Sequence, residues 1–336
     1  MINFLQHEYN ENGAQIIIST HSPILASKIN LKNLILLKNC RGFDLSEDET
    51  QLEKGDYLFL QRFLDATKSN LFFAKSIIMV EGDAENILLP VIADILGCPL
   101  EKHGVSIVNV GSTAFLRYSR IMLRKDGSSV GIPIAVVTDC DVRPYDVIEQ
   151  EDGSKKTVFT EKNDESAQAV EDKRIKYEAG EIHAFISPKW TLEYCIASSC
   201  LSDRFHKAIH YGKKILNSGK ISLTDEKISS ADDDVAIEDQ KWDTLPIQEK
   251  AFNMYSTMLR DDGGSSLKAI VAQCLSSLLK WEISVIPDGV TKEKMFDLDL
   301  YRYSVSEEKR IQLKQQIESD CYLKYIVDAI KYATGV

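Results

Sequence analysis

Two carboxylates flank a glycine in "VEGDAENILLP" (80–90), where Glu81 and Glu85 stand four residues apart, and two more, Asp139 and Asp141, bracket a cysteine in "TDCDVRP" (138–144). Brought into one crevice, four such groups repel one another strongly. Hard divalent cations relieve that repulsion, because Mg²⁺ and Mn²⁺ prefer oxygen ligands. Two ions held this way can activate water and stabilise a leaving oxygen in phosphodiester cleavage. Taken singly, Glu-Gly after a strand is a common turn and D-x-D a common solvated loop. Their joint placement, each directly after an apolar run, is what points to chemistry.

The surrounding pattern supplies elements that can position them. Ser76–Val80 reads as a buried strand, and Ala84, Leu88, Val91 and Ile95 follow at helical spacing. Glu81 therefore ends a strand and Glu85 lies in the first turn of the next helix. "VSIVNV" (105–110) and "IPIAVVT" (132–138) are further β-rich runs, and "EIHAFISP" (181–188) offers a fourth. Strands alternating with helical stretches predict an α/β fold around a parallel sheet with right-handed crossovers. Ligands usually bind at the carboxyl ends of such strands, where Glu81 and Asp139 fall. Asp139 and Asp141, two apart on an extended segment, are expected to face the same way.

At 336 residues the chain can hold one large domain or two medium ones with ample core. A net charge of −11 argues against a protein that simply coats nucleic acid, but not against an enzyme that meets phosphates through metal ions. No apolar run approaches a membrane span, and the N-terminus lacks signal-peptide features, so a cytoplasmic protein is expected. The seven cysteines form no C-x-x-C pair, and the nearest two, Cys195 and Cys200, have no matching His or Cys pair. Reduced thiols are read, rather than disulfides or a zinc site. Residues 14–42 read as strand, short helix and strand, and 43–72 as a polar, then helical, connector. An insertion hairpin is expected over 143–180, with "EQEDGSKK" at its tip, and an acidic loop over "SSADDDVAIEDQKWD" (229–243).

Glu-Gly after the first strand, Gly111 after the second and D-x-D after the third resemble a Toprim domain. "VEGDAENILLP" is similar to the corresponding segment of the OLD (overcoming lysogenization defect) family nucleases, in which an ABC-type ATPase domain precedes a Toprim nuclease; the Gabija defence nuclease belongs to the same broad group. "KWTLEYCIA" (189–197) and "SSLKAIVAQCLSSLL" (265–279) resemble two later segments of that family. The resemblance implies a Toprim-like parallel sheet flanked by helices, with helical insertions and a helical C-terminal region. It implies that Glu81, Glu85, Asp139, Asp141 and Glu193 hold two Mg²⁺ or Mn²⁺ ions, and that Lys268 faces the transition-state phosphate. Glu193 to Lys268 is a long spacing for the family.

"QIIISTHSPILAS" resembles the end of an ABC-type ATPase with His21 as its switch histidine, although Ser22 as a cap and Pro23 at a first helical position explain part of it. No G-x-x-x-x-G-K-[ST] loop is present to hold a triphosphate. The chain alone is therefore expected to hydrolyse no ATP, and residues 1–42 to pack on the nuclease domain or dock a separate ATPase chain. The implied organisation is an ATPase remnant (1–42), a connector (43–72), a Toprim nuclease domain (73–290, with insertions near 143–180 and 220–246) and a helical tail (291–336). The implied activity is metal-dependent DNA endonuclease action in a phage-defence or DNA-processing system, by a truncated or split protein or a homo-oligomer. A topoisomerase-like or primase-like module, or a non-catalytic subunit, stays open; none of the 13 tyrosines is marked as a nucleophile. DNA contact is assigned to "RYSRIMLRK", through Arg117, Arg120, Arg124 and Lys125.

Overall fold

The computed structural model describes residues 2–13, 15–111, 114–150, 153, 155–219, 222–262, 265–296 and 303–336. The chain opens with helix α1 (Ile2–Asn12), a stretch without regular structure, helix α2 (Pro23–Ala26) and an antiparallel hairpin of β1 (Ile35–Lys38) and β2 (Arg41–Asp44). Helix α3 (Lys54–Phe63) follows. Ser22 caps α2 by accepting from Leu25 N at 3.3 Å, with Pro23 in the first turn. The strand expected at "QIIIS" is not formed. Among the described residues it has no neighbouring strand, and Ile17 is 88% exposed. A β pattern without a ladder partner cannot satisfy its backbone.

The core is a four-stranded parallel sheet of β3 (Ser76–Val80), β4 (Val105–Asn109), β5 (Ile134–Thr138) and β8 (Ile182–Ile186), in the order β4-β3-β5-β8. Helices α4 (Asp83–Leu96) and α5 (Leu100–His103) connect β3 to β4, and α6 (Phe115–Ser119) follows β4. Between β5 and β8 stand a second antiparallel hairpin, β6 (Tyr145–Glu149) with β7 (Lys155–Phe159), and helix α7 (Asn163–Tyr177). The expected α/β fold with a parallel sheet is the one observed. Alternation along the strands divides the core. Ile77, Met79, Ile134 and Val136 face one side, where α3, the turn Lys68–Phe72 and α6 cover them. Ile78, Val80, Ala135 and Val137 face the other, under a helical layer.

That layer comprises α4, α8 (Leu192–Ala197), α9 (Ser202–Ser218), α10 (Asp225–Trp242), α11 (Ile247–Asp262), α12 (Ser265–Ile283), α13 (Glu307–Ser319) and α14 (Lys324–Thr334). Two expectations are corrected here. The acidic stretch 229–242 belongs to helix α10, not to a loop: Ile228, Ala231 and Val235 bury one stripe at helical spacing, while Asp232, Glu238 and Asp239 meet partners on α9. The C-terminal region is no appendage. Helix α14 lies on β3, β5 and β8, buries Ile326, Val327 and Ile330, and bonds Tyr332 Oη to Glu181 O at 2.8 Å.

Residues 43–72 likewise form a cover rather than a loose connector. Leu45, Leu60 and Leu71 are fully buried against the sheet, and Tyr57 Oη donates to Leu45 O at 2.7 Å. Truncation of Leu60 to alanine is therefore expected to cost about 2–5 kcal/mol in denaturant unfolding, the range for a buried leucine. A cost within about 0.5 kcal/mol would show a segment that does not hold the sheet.

Candidate metal centre

Strand register places the carboxylates. Met79 pairs with Val136, so Glu81 comes beside Thr138, and the Thr138 hydroxyl donates to Glu81 Oε1. Glu81 and Asp139 thus leave the sheet at one edge, beside the turn after β4. There Gly111 takes a left-handed φ of 66°, and Asn109 ties the turn to α4, accepting from Gly111 N at 2.8 Å and donating to Asp83 Oδ1 at 2.8 Å. The glycine of the Glu-Gly pair serves space. Gly82 is the N-cap of α4, and a Cβ there would stand 3.2 Å from Glu85 Oε2.

Glu85 is buried in the first turn of α4 and Glu193 in the first turn of α8. Asp139 Oδ1 accepts from Leu192 N at 2.8 Å, fixing Asp139 to the start of α8. Burial pushes the Glu85 carboxyl up to about 7, with Glu193 and Glu81 adding to the rise. Burial raises Asp139 well above the ordinary carboxylate range, and Glu193, Glu85 and Glu81 add to it in that order. Through these mutual effects Glu81, Glu85, Asp139 and Glu193 stand within electrostatic reach of one another. Lys268, on α12, lowers both shifted acids and bonds Glu193 Oε2 at 3.1 Å. Burial would depress its ammonium, but Glu193 and then Tyr255, whose ring lies 5.5 Å away, hold it above its usual value.

Asp141 does not share this arrangement. The strand ends at Thr138, and Asp141 adopts a left-handed φ of 68°, which breaks the alternation expected of an extended segment. Its exposed carboxylate pairs with Lys173 of α7, which also donates to Asp139 O at 2.6 Å. The insertion thereby braces the D-x-D turn. Thr138, Lys173 and Tyr255 escaped the sequence reading. The two last come from distant helices, and no local pattern marks them.

The basic stretch assigned to DNA has partners within the molecule, although Arg117 and Lys125 stay exposed. Arg124 is buried, donating to Asp44 O and pairing with Glu49 at 2.5 Å. Arg117 and Arg120 meet buried Asp56 at 3.3 and 3.4 Å, and Arg117 also lies over the Phe59 ring. Lys125 donates to Glu47 O at 2.6 Å. The residues fall on a short helix and the turn after it, which fasten the cover to the sheet. His21 is exposed, 6.3 Å from the Phe73 ring.

All donors at the centre are oxygens, and the buried Tyr325 hydroxyl, electrostatically coupled to Asp139, Glu85 and Glu193, has no partner among the described residues. Such a set fits hard divalent cations. Residues 72–141 match the model of the overcoming lysogenization defect protein-like TOPRIM domain. Residues 72–141 belong to the OLD-like Toprim family. Glu81, Glu85, Asp139 and Asp141 all lie inside that Toprim segment.

The chain is 28% identical over 185 residues to Endonuclease GajA of Bacillus cereus (strain HuB5-5), covering 50% of this chain and 25% of that protein. It is 31% identical over 140 residues to the Old nuclease of Escherichia phage P2, covering 39% and 23%. The C-terminal region of the Burkholderia pseudomallei OLD protein aligns at 17% identity over 78% of this chain and 99% of that one, with a TM-score of 0.36. The matches thus span about a quarter of those two curated relatives.

A raised carboxyl binds its proton more tightly folded than unfolded. The stability Glu85 adds is therefore present below its unfolded pKa and lost as pH rises through about 7. In EDTA, melting temperature is expected to fall between roughly pH 5 and pH 8. Glu85→Gln should flatten that fall and melt higher than the parent at the upper end. A variant that melts lower there, followed by circular dichroism, would remove Glu85 from the repulsive cluster.

Proposed function

We infer that this chain is the catalytic part of a divalent-metal-dependent DNA endonuclease. The observation that supports the reading most is the convergence of Glu81, Glu85, Asp139 and Glu193 at one strand edge, with two of them driven far toward their protonated forms. Two Mg²⁺ or Mn²⁺ ions at these oxygens would supply an activated water and a stabilised leaving oxygen. The nuclease names of the relatives and the Toprim match favour the same chemistry.

The chain's own residues divide the remaining work. Thr138 and the start of α8 orient Glu81 and Asp139, so both carboxylates meet the ions without a search through rotamers. Glu85 and Glu193 complete the oxygen set from two helices. Lys268 stays charged in a half-buried place, so its ammonium would face the phosphate as charge develops rather than screen the substrate from afar. The Asp141–Lys173 pair holds the turn that carries Asp139. Assignment to a phage-defence or DNA-processing system, with a separate ATPase chain or a second copy as partner, belongs to the same proposal and follows from the resemblance of "VEGDAENILLP" and "QIIISTHSPILAS" to the OLD nucleases.

Supercoiled plasmid incubated with the chain and Mg²⁺ or Mn²⁺ should be cut, and EDTA should stop it. Glu81→Ala or Asp139→Ala should abolish cutting in a folded protein. Lys268→Ala should slow it at least about tenfold, about 1.4 kcal/mol, with DNA affinity unchanged. Wild-type rates for the carboxylate variants at saturating Mn²⁺ would defeat the metal assignment. A parallel fall of rate and affinity in the lysine variant would make Lys268 a plain phosphate contact.

A further inference from the structure

Away from the carboxylate centre, His206 and His210 stand four residues apart on α9, a spacing that puts both rings on one helix face. Helix α10 brings Glu238 and Asp239 against them. Nε2 of His206 and Nε2 of His210 lie 3.0 and 3.1 Å from one and the same oxygen, Glu238 Oε2. Nδ1 of His206 lies 3.1 Å from Asp239 Oδ1. His206 is fully buried, His210 nearly so, and the Trp242 ring stacks on His206 at 5.2 Å.

A neutral imidazole offers one N–H and one lone pair, while an ionised carboxylate oxygen only accepts. Both nitrogens of His206 face such oxygens, so one of them requires a cation. Asp239 sets the N–H at Nδ1 and leaves the Nε2 lone pair aimed where His210 Nε2 and Glu238 Oε2 also meet. A carboxylate behind a histidine is how metal-binding histidines are held in one tautomer. The three ligand atoms lie within 4.8 Å of one another. Ligand atoms about 2.1 Å from a tetrahedral ion stand roughly 3.4 Å apart, so a slight opening of the triad accommodates one.

We propose that His206, His210 and Glu238 bind a zinc-class transition-metal ion that clamps α9 to α10. Imidazole ligands set it apart from the all-oxygen centre and favour Zn²⁺ or Co²⁺ over Mg²⁺. Asp239 positions His206. His210 and Glu238 line an open cleft with Lys213, Lys214, Asp234 and Lys241, which gives the ion access and leaves its fourth position to water. Lys214 is held by Asp234 at 2.8 Å, and Lys250 by Asp239 at 3.1 Å. Because α9 also packs on α12, the helix of Lys268, the clamp stiffens the layer behind the carboxylate centre.

The test uses the full chain carrying Glu81→Ala and Asp139→Ala, which weakens competition from the carboxylates. After chelator stripping, Co²⁺ is titrated and visible absorption followed, with Zn²⁺ as competitor and thermal melts in parallel. A stoichiometric tetrahedral Co²⁺ band, displaced by Zn²⁺, is expected, with a zinc-dependent rise in melting temperature. His210→Gln should weaken binding at least about tenfold and erase the zinc shift. Glu238→Gln, close in shape, should do the same and carries the test if His210→Gln fails to fold. Absence of the band, or affinity unchanged in Glu238→Gln, would overturn the site and leave His206 as a buried side chain bonded to Glu238 and Asp239.

Discussion

The structure turns on the mutual repulsion of carboxylates gathered at one edge of a sheet. At an effective dielectric near 20, two like charges about 4 Å apart cost roughly 4 kcal/mol. Taking up a proton costs only about 1.4 kcal/mol for each unit by which the pKa must rise. The metal-free cluster therefore yields by protonation, as the raised Glu85 and Asp139 carboxyls show. The start of α8, which donates to Asp139, and the Lys268 ammonium on Glu193 offset part of the rest. Cations that displace those protons convert the same crowding into binding.

Everything around the edge serves to hold it rigid. Strand alternation gives the sheet two dry faces, and each needs its own cover. The N-terminal segment with α3 and α6 makes one, pinned by Arg124 and by the Arg117–Asp56–Arg120 group. The helical layer makes the other and also delivers Glu193 and Lys268. Chain segments remote in sequence thus meet at the site, with α14 seated behind it through Tyr325. The insertion hairpin region contributes Lys173, which grips both residues of the D-x-D turn.

What could be read in the sequence was what local periodicity encodes. The strand ends bearing Glu81 and Asp139 were legible because buried parallel strands are short continuous apolar runs that stop sharply. The exposure of Asp141 was not, since it depends on a left-handed φ after the strand and on Lys173 from another helix. The basic stretch looked free because sequence shows charge but not its partners. Helix α10 looked like a loop because its buried stripe is thin against seven acids. The histidine pair on α9 is written plainly as "FHKAIH" (205–210), but two histidines one helical turn apart are a common pattern without a third ligand beside them. Its carboxylate partner comes from α10, so spacing alone could not complete the set.

The central claim, that this cluster is strained without metal and relieved by it, is tested most directly by the Mn²⁺-induced shift in melting temperature of wild-type chain and of Asp139→Asn. The asparagine keeps an oxygen for Leu192 N while removing a charge. The account predicts that Asp139→Asn melts higher than wild type in EDTA and gains little from Mn²⁺, whereas wild type gains strongly. A variant that melts lower in EDTA yet keeps the full Mn²⁺ shift would contradict it.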